Sequence, residues 1–415
     1  MTKNPHIDSR SRALDTVNFF FLLLFTLASQ FSISVTQIAL ALGVLTWLAK
    51  VKITKTWASQ NWPLVTPITA YIIACFISVI TAHNMEYSFP SLKKLLLILV
   101  FFWVINSIET LKKRNTIVTL LIFSSTLAAL FGAYQSWEAG VLNPQTRVEG
   151  TFSIYMTFAG ILMMVGLVVA SRWIFQNRRE HWLLLSFLII SICLILTLTR
   201  QSWLGFLIGL IYLIWNWRKL YLLVLAVLMI CFIYASPAIV KHRLHDMVLE
   251  SGFNQKEDSQ DLVENGTFQM RTNLWKSGIM IFKDHLLTGC GFKCVDQVHK
   301  SYPDPKGYVA KYRGMHNNFV QLAIDTGLLG LTAWVWIWMA FFNQIRLKLR
   351  NSESLSENHW VFYASAAALM AFLVGGVFEN NFYDEEVVMM LYFIIALPFT
   401  CSSYNKNKQP MPTLS

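Results

Sequence analysis

The chain has 415 residues, 55% of them hydrophobic and only 14% charged, against about 25% charged residues in soluble globular proteins. That balance excludes a soluble globular enzyme and implies a polytopic membrane protein. The net charge of +11 does not imply nucleic-acid binding. The Lys and Arg fall in short loops, where they report topology, and no basic tail or aromatic RNA-binding signature accompanies them.

The opening MTKNPHIDSRSRALD is polar and basic, and the apolar run from Val17 begins a span rather than a cleavable signal. Apolar segments then recur near 15–31, 33–49, 64–82, 93–107, 116–137, 151–171, 182–199, 201–216, 219–236, 317–343, 360–377 and 386–401, several of them approaching the ~20 residues needed to span a bilayer. The expected fold is an all-α polytopic membrane protein of about twelve transmembrane helices. Residues 1–236 hold the first nine, 237–316 a large loop with amphipathic helices, and 317–415 the last three with a tail.

The short loops alternate in charge. Lys3, Arg10 and Arg12 precede the first segment; Lys50, Lys52 and Lys55 follow the second, and Lys112, Lys113 and Arg114 the fourth. Arg172, Arg178 and Arg179 follow the sixth, Arg218 and Lys219 the eighth, Arg346, Lys348 and Arg350 the tenth, and Lys406 and Lys408 close the chain. With twelve spans all these clusters share one side, and the positive-inside rule places both termini in the cytoplasm. The other side then carries the long loop from Pro237 to Met315, and loops of that length are usually functional. Its EDSQDLVENG is turn-rich. Its FQMRTNLWKSGIMIFKDHLLTGCGF has helical periodicity up to about Leu287.

The six Cys are scattered. Cys75, Cys193, Cys231 and Cys401 lie in apolar runs and read as small buried hydrophobes. Cys290 and Cys294 form a CxxxC without a second pair, which speaks against zinc, and a local disulfide at that spacing is geometrically awkward.

HNNFVQLAIDTGLLGL, from His316, opens the tenth segment with polar side chains that a lipid-facing helix has no use for. Asn317, Gln321 and Asp325 recur every four residues, so they share one helix face, which must point into protein or a wet cavity. Asp325 is expected to pair with a cation from another span. Gly327 and Gly330 are expected to permit close helix packing. Several cations fall on the wrong side of the charge pattern. Arg200 sits between two spans in ILTLTRQSWLGFLIG, and Arg271 opens the amphipathic stretch of the loop. Lys93 and Lys94, at the outer start of the fourth segment, read as headgroup contacts. ENNFYDEE, from Glu379 to Glu386, reads as a solvated cap or acceptor-side contact ahead of a metal site.

Arginines and a histidine without a compact carboxylate pair suit an anionic substrate. Arg grips phosphate through a planar fork, and His can take a proton from a hydroxyl near neutral pH. The combination is adequate for group transfer with a phosphate leaving group and no metal.

The ordered motifs resemble the O-antigen ligase and polymerase superfamily of bacterial polytopic glycosyltransferases. His316, Asn317, Gly327 and Gly330 fill a pattern similar to the ligase motif, although Leu331 stands where Thr or Trp is frequent. TLTRQSWLGFLIG resembles the family's Thr-x-x-Arg segment at Arg200. RTNLWKSGIMIFKDHLLTGCGF resembles its loop pattern, with Leu286 in place of the usual Pro after His285; His285 itself is expected to serve the fold. RVEGTFSIYMTFAG, from Arg147, resembles an earlier segment.

The resemblance implies transfer of a glycan from undecaprenyl diphosphate to a sugar hydroxyl of lipid A core, with no metal, cofactor or nucleotide sugar. His316 would be the general base. Arg200 and Arg271 would hold the diphosphate, and Asn317, Gln321, Arg147 and Arg313 would bind substrate. It also implies a bacterial inner membrane, with the site facing the periplasm and lipids as the surrounding partner. The alternatives are a polymerase extending the lipid-linked glycan, transfer of a glycan to protein, and a membrane transporter. Against the transporter, no paired broken spans recur in matching halves.

Overall fold

The computed structural model describes residues 5–140, 147–176, 180–235, 240–241, 267–304, 306–350 and 359–401. EDSQDLVENG, Lys3, Arg178, Arg179, Lys406 and Lys408 lie outside them. The described residues are helical, with no strand. The helices are α1 Pro5–Ala28, α2 Ile33–Thr54, α3 Val65–Ile80, α4 Met85–Ser107, α5 Leu111–Glu138, α6 Tyr155–Phe175, α7 His181–Leu196, α8 Arg200–Trp217 and α9 Tyr221–Ala235. Then come α10 Thr267–Asp284, α11 Asn318–Arg350, α12 His359–Gly375 and α13 Glu385–Ala396. The middle of α4, Phe89–Ile98, is wound as a 3-10 helix.

Each of the twelve apolar segments falls on a helix. Among the described residues, six helices are long and apolar enough to cross a membrane: Arg10–Ala28 within α1, then α2, α4, α5, α6 and α11. This is a membrane protein. α6 forms its centre, because a helix apolar on every side must be surrounded by others, and Thr157 through Arg172 are buried without interruption. Glycines bring α8 against its neighbours: a side chain at Gly205 would strike the Ala371 carbonyl of α12, and one at Gly209 the Leu167 side chain of α6.

Side-chain contacts sort the helix ends into two groups. At one end Lys50 pairs with Asp15 at 2.5 Å and Glu109 at 2.8 Å. Arg114 and Arg172 both lie over the Trp360 ring, Ser171 donates to the Trp360 carbonyl at 2.7 Å, and Lys348 lies over Phe399. The start of α1, the end of α2, the α4–α5 connection, the end of α6, the start of α12, the end of α11 and the end of α13 therefore share this end. The candidate site lies at the other.

Two cysteine expectations are corrected. Cys75, Cys193 and Cys401 are buried, but Cys231 is exposed, because α9 leaves most of its surface uncovered. Cys290 and Cys294 form a disulfide, with Cα atoms 5.8 Å apart. The chain there is a turn around Gly291 (φ +94°) rather than a strand or long helix, which brings the two residues within bridging range.

Candidate active site

α11 is not continuous. Gly327 has φ 63° and ψ −165°, a conformation open in practice to glycine alone. A helix break leaves carbonyls without partners on one side and N–H groups on the other. The loop after α10 satisfies both. Cys290 and Gly291 donate backbone N–H groups to the Ile324 and Asp325 carbonyls at 2.9 and 3.1 Å. Leu328 and Leu329 donate to the Leu286 and Leu287 carbonyls at 2.9 and 3.1 Å. The backbones approach so closely that a side chain at Gly289 would strike the Asp325 carbonyl, and one at Gly327 the Leu287 carbonyl. The expected packing role for Gly327 is thus corrected: it breaks the helix to admit a strap. At Gly330 the nearest neighbour is the Thr326 side chain one turn earlier in the same helix.

The strap fixes the half-helix that starts after His316. Its polar side chains meet the segment between α12 and α13 residue for residue. His316 Nδ1 lies 3.1 Å from Glu379 Oε1. The Asn317 N–H donates to Asn380 Oδ1 at 2.8 Å. The Asn318 amide donates to Asn381 Oδ1 at 2.5 Å and accepts from the Phe382 N–H at 3.0 Å. Further along, the Tyr383 hydroxyl donates to Asp325 Oδ2 at 2.5 Å, and the Gln321 amide to Asp325 Oδ1 at 3.1 Å. Burial, then the adjoining Asp325 carboxylate, push the Tyr383 phenol well above its ordinary value, so it remains a donor.

Asn317 caps the helix: its Oδ1 accepts from the Phe319 and Val320 N–H groups at 2.9 and 3.1 Å. Gln321 Oε1 accepts from the Met315 N–H at 3.0 Å, steadying the residue before His316. His316 itself has φ +46°, an uncommon conformation for its type, and its ring meets Tyr312 edge-on at 5.8 Å between centroids. A carboxylate on Nδ1 requires the proton there, which leaves the Nε2 lone pair free to accept one.

The expected cations come to this end from separate stretches. Arg271 on α10 lies over Phe378, 5.9 Å from the ring centroid, immediately before Glu379. Arg200 is the first residue of α8, and the carbonyl of the next residue, Gln201, faces Gly375 at the end of α12. Arg147 lies over Tyr155 at the start of α6, 4.5 Å from the ring centroid, where Thr157 bonds Asp384. Arg313 is turned away to Asp296, donating to its carbonyl at 3.0 Å.

Three expectations change. Asp325 receives a tyrosine hydroxyl and an amide and has no ion pair with a described cation. Lys94 is half-buried and donates to the Tyr383 carbonyl at 2.6 Å, while Lys93 stays exposed; only Lys93 retains the headgroup reading. ENNFYDEE is not a solvated cap, because Glu379 through Tyr383 are the partners of the histidine segment. Sequence reasoning passed over these partners, although a signal was present: HNNF at His316 and ENNF at Glu379 share Asn-Asn-Phe, and the Asn residues pair in register.

At one end of this many-helix membrane protein a histidine–carboxylate pair lies next to Phe378, whose ring Arg271 covers, an arrangement that puts a proton acceptor near a cation. Residues 185–335 match the family model described as O-antigen ligase, so this part of the chain is similar to that family. No curated protein matches the chain. The match takes in Arg200, Arg271, Arg313, His316, Asn317 and Gln321; it stops short of Arg147 and Glu379.

Proposed function

We propose that this protein is an O-antigen ligase of the bacterial inner membrane. It has twelve membrane crossings, both termini in the cytoplasm and its site facing the periplasm. It passes a glycan from undecaprenyl diphosphate to a sugar hydroxyl of lipid A core, without a metal. The observation that carries this reading is the His316–Glu379 pair at 3.1 Å, partly open to solvent and flanked by Arg271. The positive-inside rule supports the orientation, since Lys50, Lys113, Arg114, Arg172 and Lys348 gather at the opposite end.

In this mechanism Glu379 holds the His316 ring. Nε2 takes the proton of the acceptor hydroxyl as its oxygen bonds the anomeric carbon. The bond from that carbon to the phosphate oxygen breaks, and undecaprenyl diphosphate leaves with the electron pair. Arg200 and Arg271 stabilise that charge. The ligase reading rests on the His316 motif and the family description. A base aimed at a hydroxyl suits bond-making rather than transport.

The test mixes purified protein with undecaprenyl diphosphate-linked glycan and lipid A core in EDTA. Glycan on lipid A core is the expected product, and His316→Ala is expected to lower the rate by about 10²–10⁴-fold while the protein stays inserted. Longer carrier-linked chains instead make the protein a polymerase. Full activity in His316→Ala overturns the base assignment.

A further inference from the structure

Beside the histidine lies a cavity of about 360 Å³, within the range of small-molecule sites. Gln321 and Asp325 of the first half of α11 form one wall, and Lys94 of α4 faces them. Lys293, next to the disulfide, and Arg313 also line it. Arg313 is engaged by Asp296 at 3.8 Å. Lys94 and Lys293 are not: neither is ion-paired to a described carboxylate, and Lys94 is half-buried. The lining holds three cations against two carboxylates, Asp296 and Asp325, while Asp384 and Glu385 act on Lys94 from beyond ion-pair distance; a concave space left net positive suits an anion. The remaining surface is that of a sugar site, since Tyr312, Phe382 and Tyr392 offer ring faces and edges, and Gln321 and Asn380 offer amides.

Three consecutive residues relate this cavity to the base. Phe378 carries Arg271 over its ring, Glu379 holds His316, and Asn380 lines the cavity. Along this segment, the partner of the histidine lies between the residue under Arg271 and one that lines the lysine cavity. A two-substrate transfer requires that division, with a leaving group on one side of the base and a nucleophile on the other.

We propose that this cavity is the acceptor subsite and that it takes a sugar bearing a phosphate, with the phosphate at Lys94 and Lys293. The assignment of the two sides to donor and acceptor rests on the transferase reading; the binding of a phosphorylated sugar does not. Lys293 is exposed, so Lys293→Ala leaves the fold intact, whereas Lys94 also holds the Tyr383 carbonyl.

Saturation-transfer NMR of the full-length protein in nanodiscs, with glucose 6-phosphate and with glucose as probes, reads binding apart from chemistry. The phosphorylated sugar is expected to bind about ten-fold more tightly than glucose, the worth of one charge-assisted contact. Lys293→Ala should remove most of that preference, and Lys94→Met with Lys293→Ala all of it. Lys50→Ala, at the opposite end of the bundle, should leave it unchanged. Equal binding of the two sugars, a preference that survives both lysine substitutions, or no binding of either overturns the subsite. In transfer assays Lys293→Ala should raise KM for lipid A core about ten-fold, with the KM of the carrier-linked donor unchanged. A shift in the donor KM instead overturns the acceptor assignment. If the wild-type protein makes no glycan product while lysine-dependent binding persists, the transferase reading falls and the phosphate-binding cavity stands.

Discussion

The two ends of the helix bundle use the same residue types in opposite ways. At the cationic end, charges are spent on neighbours: Lys50 on two carboxylates, Arg114 and Arg172 on the Trp360 ring, Arg172 also on the Thr119 hydroxyl at 2.7 Å, and Lys113 on the Phe19 ring. At the site end, some cations also meet neighbours, Arg271 the Phe378 ring and Arg313 Asp296, but others border open space: Lys94 and Lys293 line the cavity with no ion pair to a described carboxylate. The first arrangement fixes which way a chain inserts. The second keeps charge available for something that arrives later. A cation's burial alone does not separate the two uses, since Arg172 is more buried than Lys94; what it touches does.

The largest effect that bears on this contrast is expected at Glu379. Glu379→Gln keeps the shape but removes the charge that holds Nδ1–H of His316, so the wrong tautomer becomes accessible. Transfer should fall about a hundred-fold with the donor KM little changed, as read by steady-state kinetics with each substrate varied in turn. Near-wild-type turnover would reduce Glu379 to a structural contact.

Next comes the strap. Gly327→Ala places a side chain against the Leu287 carbonyl in a backbone conformation that alanine avoids. It should destabilise the protein by about 2–3 kcal/mol, seen as a lowered thermal midpoint in detergent. An unchanged midpoint would mean that the break in α11 is not held by the strap.

The extent to which this was legible in the sequence follows from what each signal reports. Hydropathy located the six helices long and apolar enough to cross a membrane among the described residues, because a lipid-sized apolar run is visible one residue at a time. The stripe Asn317, Gln321 and Asp325 was legible as a face turned inward, and all three are buried. The break at Gly327 was not, because hydropathy continues straight through it. Its cause is a backbone approach from a loop forty residues earlier. ENNFYDEE was visible but read as a solvated cap or an acceptor-side contact, since a run of polar residues between spans looks the same whether it meets water, a substrate or another polar segment. Lys93 and Lys94 are neighbours with identical side chains, and only the wall that Lys94 faces distinguishes them.

A smaller effect is expected at Arg200. Arg200→Lys keeps the charge at the start of α8 but loses the planar fork. If the residue grips a diphosphate, transfer should drop about ten-fold, through the donor KM. Full activity would move Arg200 into the company of Lys50 and Arg172, as a cation that positions the chain.

The smallest expected effect lies at Lys50 and tests the other half of the contrast. Its side chain is 18% exposed, and its amine is shared between Asp15, with a side chain 29% exposed, and Glu109, 44% exposed. Pairs of this kind contribute about 0–1 kcal/mol, because water already solvates both partners and salt screens them. Lys50→Ala should therefore lower the thermal midpoint slightly and leave both substrate KM values where they were. The residual midpoint shift should shrink further in high salt. A change in either KM would show that the two ends are coupled through the bundle, and the division of labour between spent and open charges would have to be abandoned. An unchanged KM beside a ten-fold acceptor effect for Lys293→Ala would mean that one lysine anchors a fold and the other receives a substrate.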